Sequence, residues 1–166
     1  MTPQLWDFAG IDGLQMAKSL FGSSIDRIAV FQSLETNLEN CPCSVLRLGE
    51  TNFRVVWYSD YPYLLQRLQQ SAIGLQVWLR QFDWLGAIVL PDAIDSLLNI
   101  AIPQPPHRLQ LPNGCAAPAR INGVSVLIWR HSIDGQPALE IHTAIKNLQF
   151  IQTKLTGVTS ILGARQ

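Results

Sequence analysis

The sequence contains few charged residues, and this scarcity limits the classes of partner. Asp, Glu, Lys and Arg make up 14% of the 166 residues, against about 25% in an average soluble domain. Acidic and basic side chains are equal in number, so the formal net charge is zero. No long-range field therefore draws the protein to phosphate backbones or anionic lipid. We expect neither nucleic acid nor a membrane surface as its partner.

The sequence also lacks long apolar runs and a basic leader. Hydrophobic residues form 48% of the chain, but no run approaches the roughly 18 residues that cross a bilayer. Residues 1–10 carry Asp7 and no basic side chain, unlike a secretory signal. The three cysteines, Cys41, Cys43 and Cys115, form an odd set, which fits reduced thiols better than a disulfide framework. We therefore predict a cytoplasmic protein.

Chain length predicts a single globular domain over residues 1–166, with one core and no internal repeat. A protein with so few ions and no net charge has little protection against association. We therefore expect a homo-oligomer or a standing protein partner.

In the first half of the chain, hydrophobic spacing predicts helices and one hairpin. Asp12 is placed to cap a short helix that stops at Gly22. Apolar residues from Ile28 to Leu38 predict a second helix, although residues 25–31 also fit a strand. Two apolar runs, 44–48 and 53–58, flank a polar turn and predict a hairpin. A long helix is predicted to begin at Ser59 or Asp60 and to bury an apolar stripe, formed by Leu64, Leu68, Ala72, Leu75, Leu79 and Phe82.

The second half predicts strands. Residues 86–90 read as a strand buried on both faces, and Asp92 caps a brief helix after it. The proline density over 102–118 predicts a long, stiff loop. Asn122-Gly123 and Asp134-Gly135 predict two tight turns, hence a three-stranded meander.

Apolar residues after 144 recur at helical spacing and predict a final helix that ends near Gly157. The predicted fold class is therefore α+β. We expect one mostly antiparallel sheet of about five strands, built from hairpins and packed against one long central helix, with shorter helices at the two ends.

No group of residues predicts a metal or cofactor site. Cys41 and Cys43 are separated by one residue, whereas zinc sites separate paired cysteines by two to four. Adding Cys115 and His107 would complete four ligands, but buried free thiols explain the cysteines more simply. Gly10 and Gly13 show no strand, turn and helix context of a phosphate loop. No local signature marks a cysteine nucleophile.

One polar group remains as a candidate site. His131 and His142 lie on the two strands of the Asp134-Gly135 hairpin, with Glu140 on the same face as His142. An exposed polar face of the meander explains this group, and we favour that interpretation. The alternative is a small hydrolase or transferase that uses these three side chains, together with Asp60 or Asp92. A ligand-sensing domain, with its pocket between the sheet and the 60–82 helix, is a further alternative.

Aromatic residues and prolines provide the candidate partner-binding surfaces. An aromatic group lies where the first hairpin joins the long helix, and comprises Trp57, Tyr58, Tyr61 and Tyr63. Core packing explains such residues, but exposed aromatics also anchor protein interfaces. The proline-rich loop, with Pro105 and Pro106 near its middle, is the second candidate, because stiff extended backbone loses little entropy on binding.

These observations favour a non-enzymatic adaptor or assembly factor that docks a peptide segment or a subunit of a larger complex. Abundant Gln, Leu and Trp with scarce Lys also resembles small accessory proteins of photosynthetic bacteria. That resemblance lies in composition, and it implies a role in assembling light-harvesting or carbon-fixing machinery.

Overall fold

The computed structural model describes residues 4–58, 61–157 and 163–165, the last three by their backbone alone. The chain divides into two compact units, Met1–Phe82 and Asp83–Gln166. Each unit has its own antiparallel sheet and its own hydrophobic cluster. The single-domain boundary stays a prediction, but the described residues form two cores instead of the one expected.

Within its described residues, the first unit contains five strands and two α-helices. Its elements are β1 (Gln4–Ala9), α1 (Gly13–Phe21), a 3₁₀ turn (Ser23–Arg27), β2 (Ser33–Leu38), β3 (Cys41–Arg47), β4 (Asn52–Trp57), α2 (Pro62–Ala72) and β5 (Trp78–Gln81). The strand order is β2-β3-β4-β1-β5, and all pairs are antiparallel. Leu64 and Leu68 of α2 pack on the core face of this sheet together with Phe8 and Val55.

Two glycines allow the chain to turn sharply from β1 into α1. A Cβ at Gly13 would lie 1.9 Å from the carbonyl oxygen of Thr51, and one at Gly10 would lie 2.2 Å from that of Gln76. The prediction that these glycines lack a strand, turn and helix context is wrong. Close backbone packing explains their presence. Asp12 stands at the helix start as predicted, but its carboxylate accepts a hydrogen bond from the Gln76 N–H at 2.7 Å instead of capping α1.

The predicted long central helix is not confirmed. The part that the structure describes begins at Pro62 and ends at Ala72, and Gly74 follows with a φ of 77°. The chain then extends into β5, where Val77 and Leu79 point to the core. Of the stripe residues beyond Gly74, Leu79 lies in β5, whereas Leu75 and Phe82 lie just outside it. The predicted start at Ser59 or Asp60 lies outside the described residues.

Of the remaining predictions for the first unit, one is confirmed and one is corrected. The 44–48 and 53–58 hairpin is confirmed as β3 and β4. The predicted second helix is wrong, because Leu34 and Leu38 belong to strand β2. The strand alternative is correct in type but not in position, because residues 25–27 end a 3₁₀ turn and β2 begins only at Ser33. A tight turn with positive φ at Glu39 and Asn40 joins that strand to β3.

The second unit contains a six-stranded antiparallel sheet. Its elements are β6 (Leu85–Pro91), α3 (Ile94–Leu97), β7 (Ala101–Pro103), β8 (Cys115–Ile121), β9 (Val124–Ile133), β10 (Gln136–Ala144), α4 (Ile145–Thr156) and β11 (Gly163–Arg165). The strand order is β11-β6-β10-β9-β8-β7. Leu148, Ile151 and Leu155 of α4 join the core formed with Ile128 and Ile141.

Most predictions for the second unit are confirmed. The meander is β8, β9 and β10, with positive φ at both residues of Asn122-Gly123 and of Asp134-Gly135. The final helix is α4, and Gly157 is its C-cap. The 102–118 loop is shorter than predicted, because both of its ends pair as strands β7 and β8. Proline is tolerated there because β7 is an edge strand.

The two units share one plan that the sequence did not reveal. In each, a first strand and a helix are followed by a meander, a second helix and a last strand. The first strand lies between the last strand of the meander and the final strand, giving β4-β1-β5 and β10-β6-β11. Both units are thus split β-α-β arrangements with additional edge strands. The prediction of no internal repeat is wrong at the level of topology, because the repeat lies in strand order.

The helices of the described segments are short. The longest is α4, and no helix in these segments is both long enough and apolar enough to cross a membrane.

Candidate functional site

The candidate site lies on one face of the β9–β10 hairpin. His131 pairs in register with Ala138, and Glu140 pairs with Trp129. Because successive side chains of a strand point to opposite faces, Trp129 and His131 share a face with Glu140 and His142. The opposite face carries Ile128, Leu139 and Ile141 of the core cluster.

Glu140 links the two histidines. Its Oε2 lies 3.0 Å from Nε2 of His131, and its Oε1 lies 2.8 Å from Nε2 of His142. A carboxylate only accepts hydrogen bonds, so each Nε2 is the donor. All three side chains are buried. The indole of Trp129 is stacked on the His131 ring and meets the His142 ring edge to face.

The histidines keep Glu140 ionised. Burial by itself raises the pKa of this carboxyl. The hydrogen bonds from His131 and His142, and the electrostatic interaction with both rings, lower the pKa more strongly, to about 2. At neutral pH the cluster therefore contains a buried carboxylate with a hydrogen-bond donor on each oxygen.

The prediction that these polar side chains lie on an exposed face of the meander is wrong. Alternation along β9 and β10 correctly placed the polar side chains together, but the face they occupy is buried. General acid–base catalysis requires a group that touches the substrate, whereas these three bind one another away from solvent. The arrangement is that of a structural polar network.

The described residues include no group of three His, Cys, Asp or Glu side chains placed to hold a metal ion. In the buried cluster the two imidazoles approach different oxygens of Glu140 instead of converging on one point. The Nε2 atoms of both histidines and both oxygens of Glu140 are thus engaged with one another.

Other acidic residues considered with the histidines lie elsewhere or outside the described residues. Asp92 receives two hydrogen bonds from Arg130, at 2.7 and 2.9 Å. Arg130 also donates to the carbonyl of Leu111 at 2.7 Å, which attaches the proline-rich loop to the sheet. Asp60 is not among the described residues.

A second buried charge pair was missed by the sequence reasoning. Asp7 of β1 stands opposite Arg54 of β4, and the guanidinium donates to both carboxylate oxygens at 2.7 and 3.0 Å. Both side chains are buried. The sequence does indicate a buried arginine, because Arg54 interrupts an otherwise apolar strand, Phe53 to Trp57.

The cysteines are free, as predicted. Cys41 and Cys43 are buried in the core of the first unit. Burial, and then the proximity of Cys41 and Glu35, raises the pKa of Cys43 to about 12. Cys115 is half-buried, and burial also raises its pKa. Thiolate chemistry at neutral pH is therefore disfavoured at Cys43 and Cys115.

The predicted partner-binding residues separate into core and surface. Trp57 is 2% exposed and belongs to the core, and Tyr58 is half-buried. Tyr61 and Tyr63, at the start of α2, are 46% and 66% exposed. We name these two side chains the α2 aromatic pair.

Pro105 and Pro106 are exposed on the proline-rich loop. Leu109 and Leu111 anchor this loop in the core of the second unit, so its exposed part is short. The described residues also expose apolar side chains that the sequence did not single out, namely Ile11, Val30, Ile73, Trp78, Trp84, Leu98, Ile102 and Phe150.

The sequence matches no protein-family model and no curated protein. Among solved structures, the chain is similar to the glycine cleavage system aminomethyltransferase T from Bartonella henselae, with a TM-score of 0.75 and 16% identity. The similarity covers 93% of this chain but 43% of that protein, so the chain spans less than half of its length.

The chain is also similar to a heterotetrameric sarcosine oxidase from Corynebacterium sp. U-96, solved in complex with pyrrole 2-carboxylate. The TM-score is 0.60 at 15% identity, over 89% of this chain and 74% of that chain. At these identities the two likenesses show the fold alone.

Proposed function

We propose that this protein is a non-enzymatic adaptor or assembly factor, which docks on a protein partner through the α2 aromatic pair. The observation that carries the proposal is the exposure of Tyr61 and Tyr63, which lie two residues apart in the chain at the start of a helix. Tyrosine buries a large area at low entropic cost and is enriched among residues that dominate binding energy.

The buried cluster gives indirect support. The residues with the greatest potential for acid–base chemistry, His131, Glu140 and His142, are engaged with one another inside the fold. A chain with zero net charge and few ions also resists association weakly. Both properties are consistent with a protein whose function is to bind another protein.

The comparisons are compatible with this role. The sarcosine oxidase is described as heterotetrameric, which supports the idea that a chain of this fold can serve within a larger assembly. The composition adds photosynthetic or carbon-fixing machinery as the proposed setting and the cytoplasm as the proposed compartment. The proposal also includes association of the protein with copies of itself.

Affinity capture from native lysate tests the proposal. Tyr61→Glu combined with Tyr63→Glu places charge on the α2 aromatic pair and is expected to remove a stoichiometric partner. Phe150→Glu is the matched control, because Phe150 is an exposed aromatic on α4. Equal recovery of the partner by all three proteins would exclude the α2 pair as the docking site.

A second candidate is group transfer, which the likeness to an aminomethyltransferase favours. In that case a substrate would have to reach the buried His131–Glu140–His142 cluster. Aminomethyl transfer by the purified protein, abolished by His131→Gln or His142→Gln with the fold retained, would establish this candidate and overturn the adaptor proposal.

A further inference from the structure

The outer edge of β5 is open for pairing. β5 is the last strand of the first unit's sheet, with β1 on its inner side. Within the described residues, no strand pairs with its other side. A strand edge offers a row of backbone donors and acceptors that an extended peptide can use.

Two outward side chains mark this edge. Trp78 is 39% exposed, and the guanidinium of Arg80 lies 5.6 Å from the centre of its ring. Phe82 meets the same indole edge to face at 6.2 Å. The inward side chain of Leu79 packs on the core. One face of β5 is thus packed against the core through Leu79. On the other face, the guanidinium of Arg80 lies over the ring of Trp78.

Arg80 lies opposite Asp7 in the β1–β5 register, on the same face of the sheet. Arg54 and Arg130 each hold a carboxylate in a two-bond pairing. Both oxygens of Asp7 already accept hydrogen bonds from Arg54, so Arg80 adds a second positive charge beside a single carboxylate, and its guanidinium lies over the ring of Trp78. A guanidinium held over an aromatic ring keeps its planar donors for an external carboxylate.

We propose that β5 is a docking edge for an extended acidic peptide, which adds as a strand beside β5 and places an Asp or Glu side chain on Arg80. Backbone hydrogen bonds supply the affinity, and the carboxylate on Arg80 supplies the selectivity. This surface differs from the α2 aromatic pair, so the inference goes beyond the proposed function and does not depend on it.

A charged residue on an edge strand also has a defensive role, because it discourages pairing between copies of a protein. The edge strand β7 shows such protection in a different form, since it is three residues long and ends in Pro103. Protection against self-pairing and docking of a peptide predict different results for Arg80→Gln. Defence predicts self-association of the variant, whereas docking predicts loss of an acidic ligand.

Selection from a library of random ten-residue peptides displayed on phage tests the proposal on the full chain. We expect the selected peptides to contain Asp or Glu and to slow amide hydrogen exchange at residues 78–81. Arg80→Gln should weaken their binding about tenfold, the loss of one charge-assisted pair. Arg120→Gln is the matched control, because Arg120 is an exposed arginine on β8, and should bind as the wild type does.

Several other outcomes would overturn the proposal. Selection of no peptide, or of peptides without acidic residues, would do so. Equal binding by Arg80→Gln, or slowed exchange at the α2 aromatic pair instead of β5, would also do so. Self-association of Arg80→Gln with no acidic peptide selected would assign Arg80 to edge protection. A Tyr61→Glu and Tyr63→Glu variant that still binds the peptides would separate this edge from the proposed docking site.

Discussion

The ring of His131 lies on the indole of Trp129, with centroids 3.7 Å apart and planes 9° from parallel. The two residues are next-but-one neighbours on β9, so they leave the same face of the strand. The stack holds the imidazole where its Nε2 meets Glu140. Trp129 thereby orients one of the two donors that keep this carboxylate buried and charged.

Removal of Glu140 is expected to destabilise the protein strongly. Glu140→Ala takes from two buried imidazoles the acceptor that each now uses, and breaking a buried ionic group costs about 3–5 kcal/mol. Glu50→Ala is the control, because Glu50 is exposed in the turn before β4, and should change stability by less than about 0.5 kcal/mol. Urea unfolding monitored by tryptophan fluorescence measures both. A small effect for Glu140→Ala would contradict a structural role for the cluster.

Stability is expected to fall in acid because of Glu140. Its pKa is lowered from 4.5 to about 2 in the folded protein, so the folded state binds this proton less readily than the unfolded state. The stabilisation is complete above about pH 4.5 and is lost as pH falls towards 2. Glu140→Gln cannot titrate, and its unfolding free energy should change less over this range. Parallel curves for the two proteins would show that Glu140 does not carry the effect.

The Asp7–Arg54 pair is expected to show strong coupling in a double-mutant cycle. Both side chains are buried and joined by two hydrogen bonds, so we expect a coupling energy above about 1.5 kcal/mol for Asp7→Asn with Arg54→Met. The exposed pair Lys18–Asp26, at 2.9 Å, is the control and should give less than about 1 kcal/mol. Similar couplings for the two pairs would contradict the difference in burial.

Gly13→Ala is expected to destabilise the start of α1. The added methyl group would lie 1.9 Å from a backbone oxygen of Thr51, and such overpacking costs about 1–3 kcal/mol. At Gly49 the nearest atom would be 3.5 Å away, so Gly49→Ala should be close to neutral. Thermal unfolding of the two variants provides the comparison. A neutral Gly13→Ala would mean that the β3–β4 turn moves freely.

The sequence predicted those parts of the fold that local chemistry determines. Asn122-Gly123 and Asp134-Gly135 require positive φ, and both form the expected turns. The 3.6-residue spacing after Ala144 predicted α4 for the same local reason. In these segments few conformations are compatible with the residues present.

Elements that depend on distant partners could not be predicted. β1 is too short to show a pattern, and it is a strand because it pairs with β4 and β5. In and around β5, Leu75, Leu79 and Phe82 fit helical spacing, while Val77 and Leu79 fit alternation equally well. Gly74 decides between them, because its positive φ ends the helix.

The candidate site shows the same division. Strand alternation was sufficient to place His131, Glu140 and His142 on one face, but polar side chains on a strand normally face solvent. Burial of that face is a property of the folded chain, and so is the pairing of Asp7 with Arg54. Trp57 illustrates the converse, since an aromatic residue that suggested an interface lies in the core.

The size of the native protein in lysate tests the central claim most directly. Size-exclusion chromatography with detection by antibody separates the 18.5 kDa chain from any complex that contains it. We predict that the wild type elutes as a larger species and that the Tyr61→Glu and Tyr63→Glu variant elutes as the free chain or its homo-oligomer. Elution of both proteins at the same free size would contradict the claim that the protein acts by docking on a partner through the α2 aromatic pair.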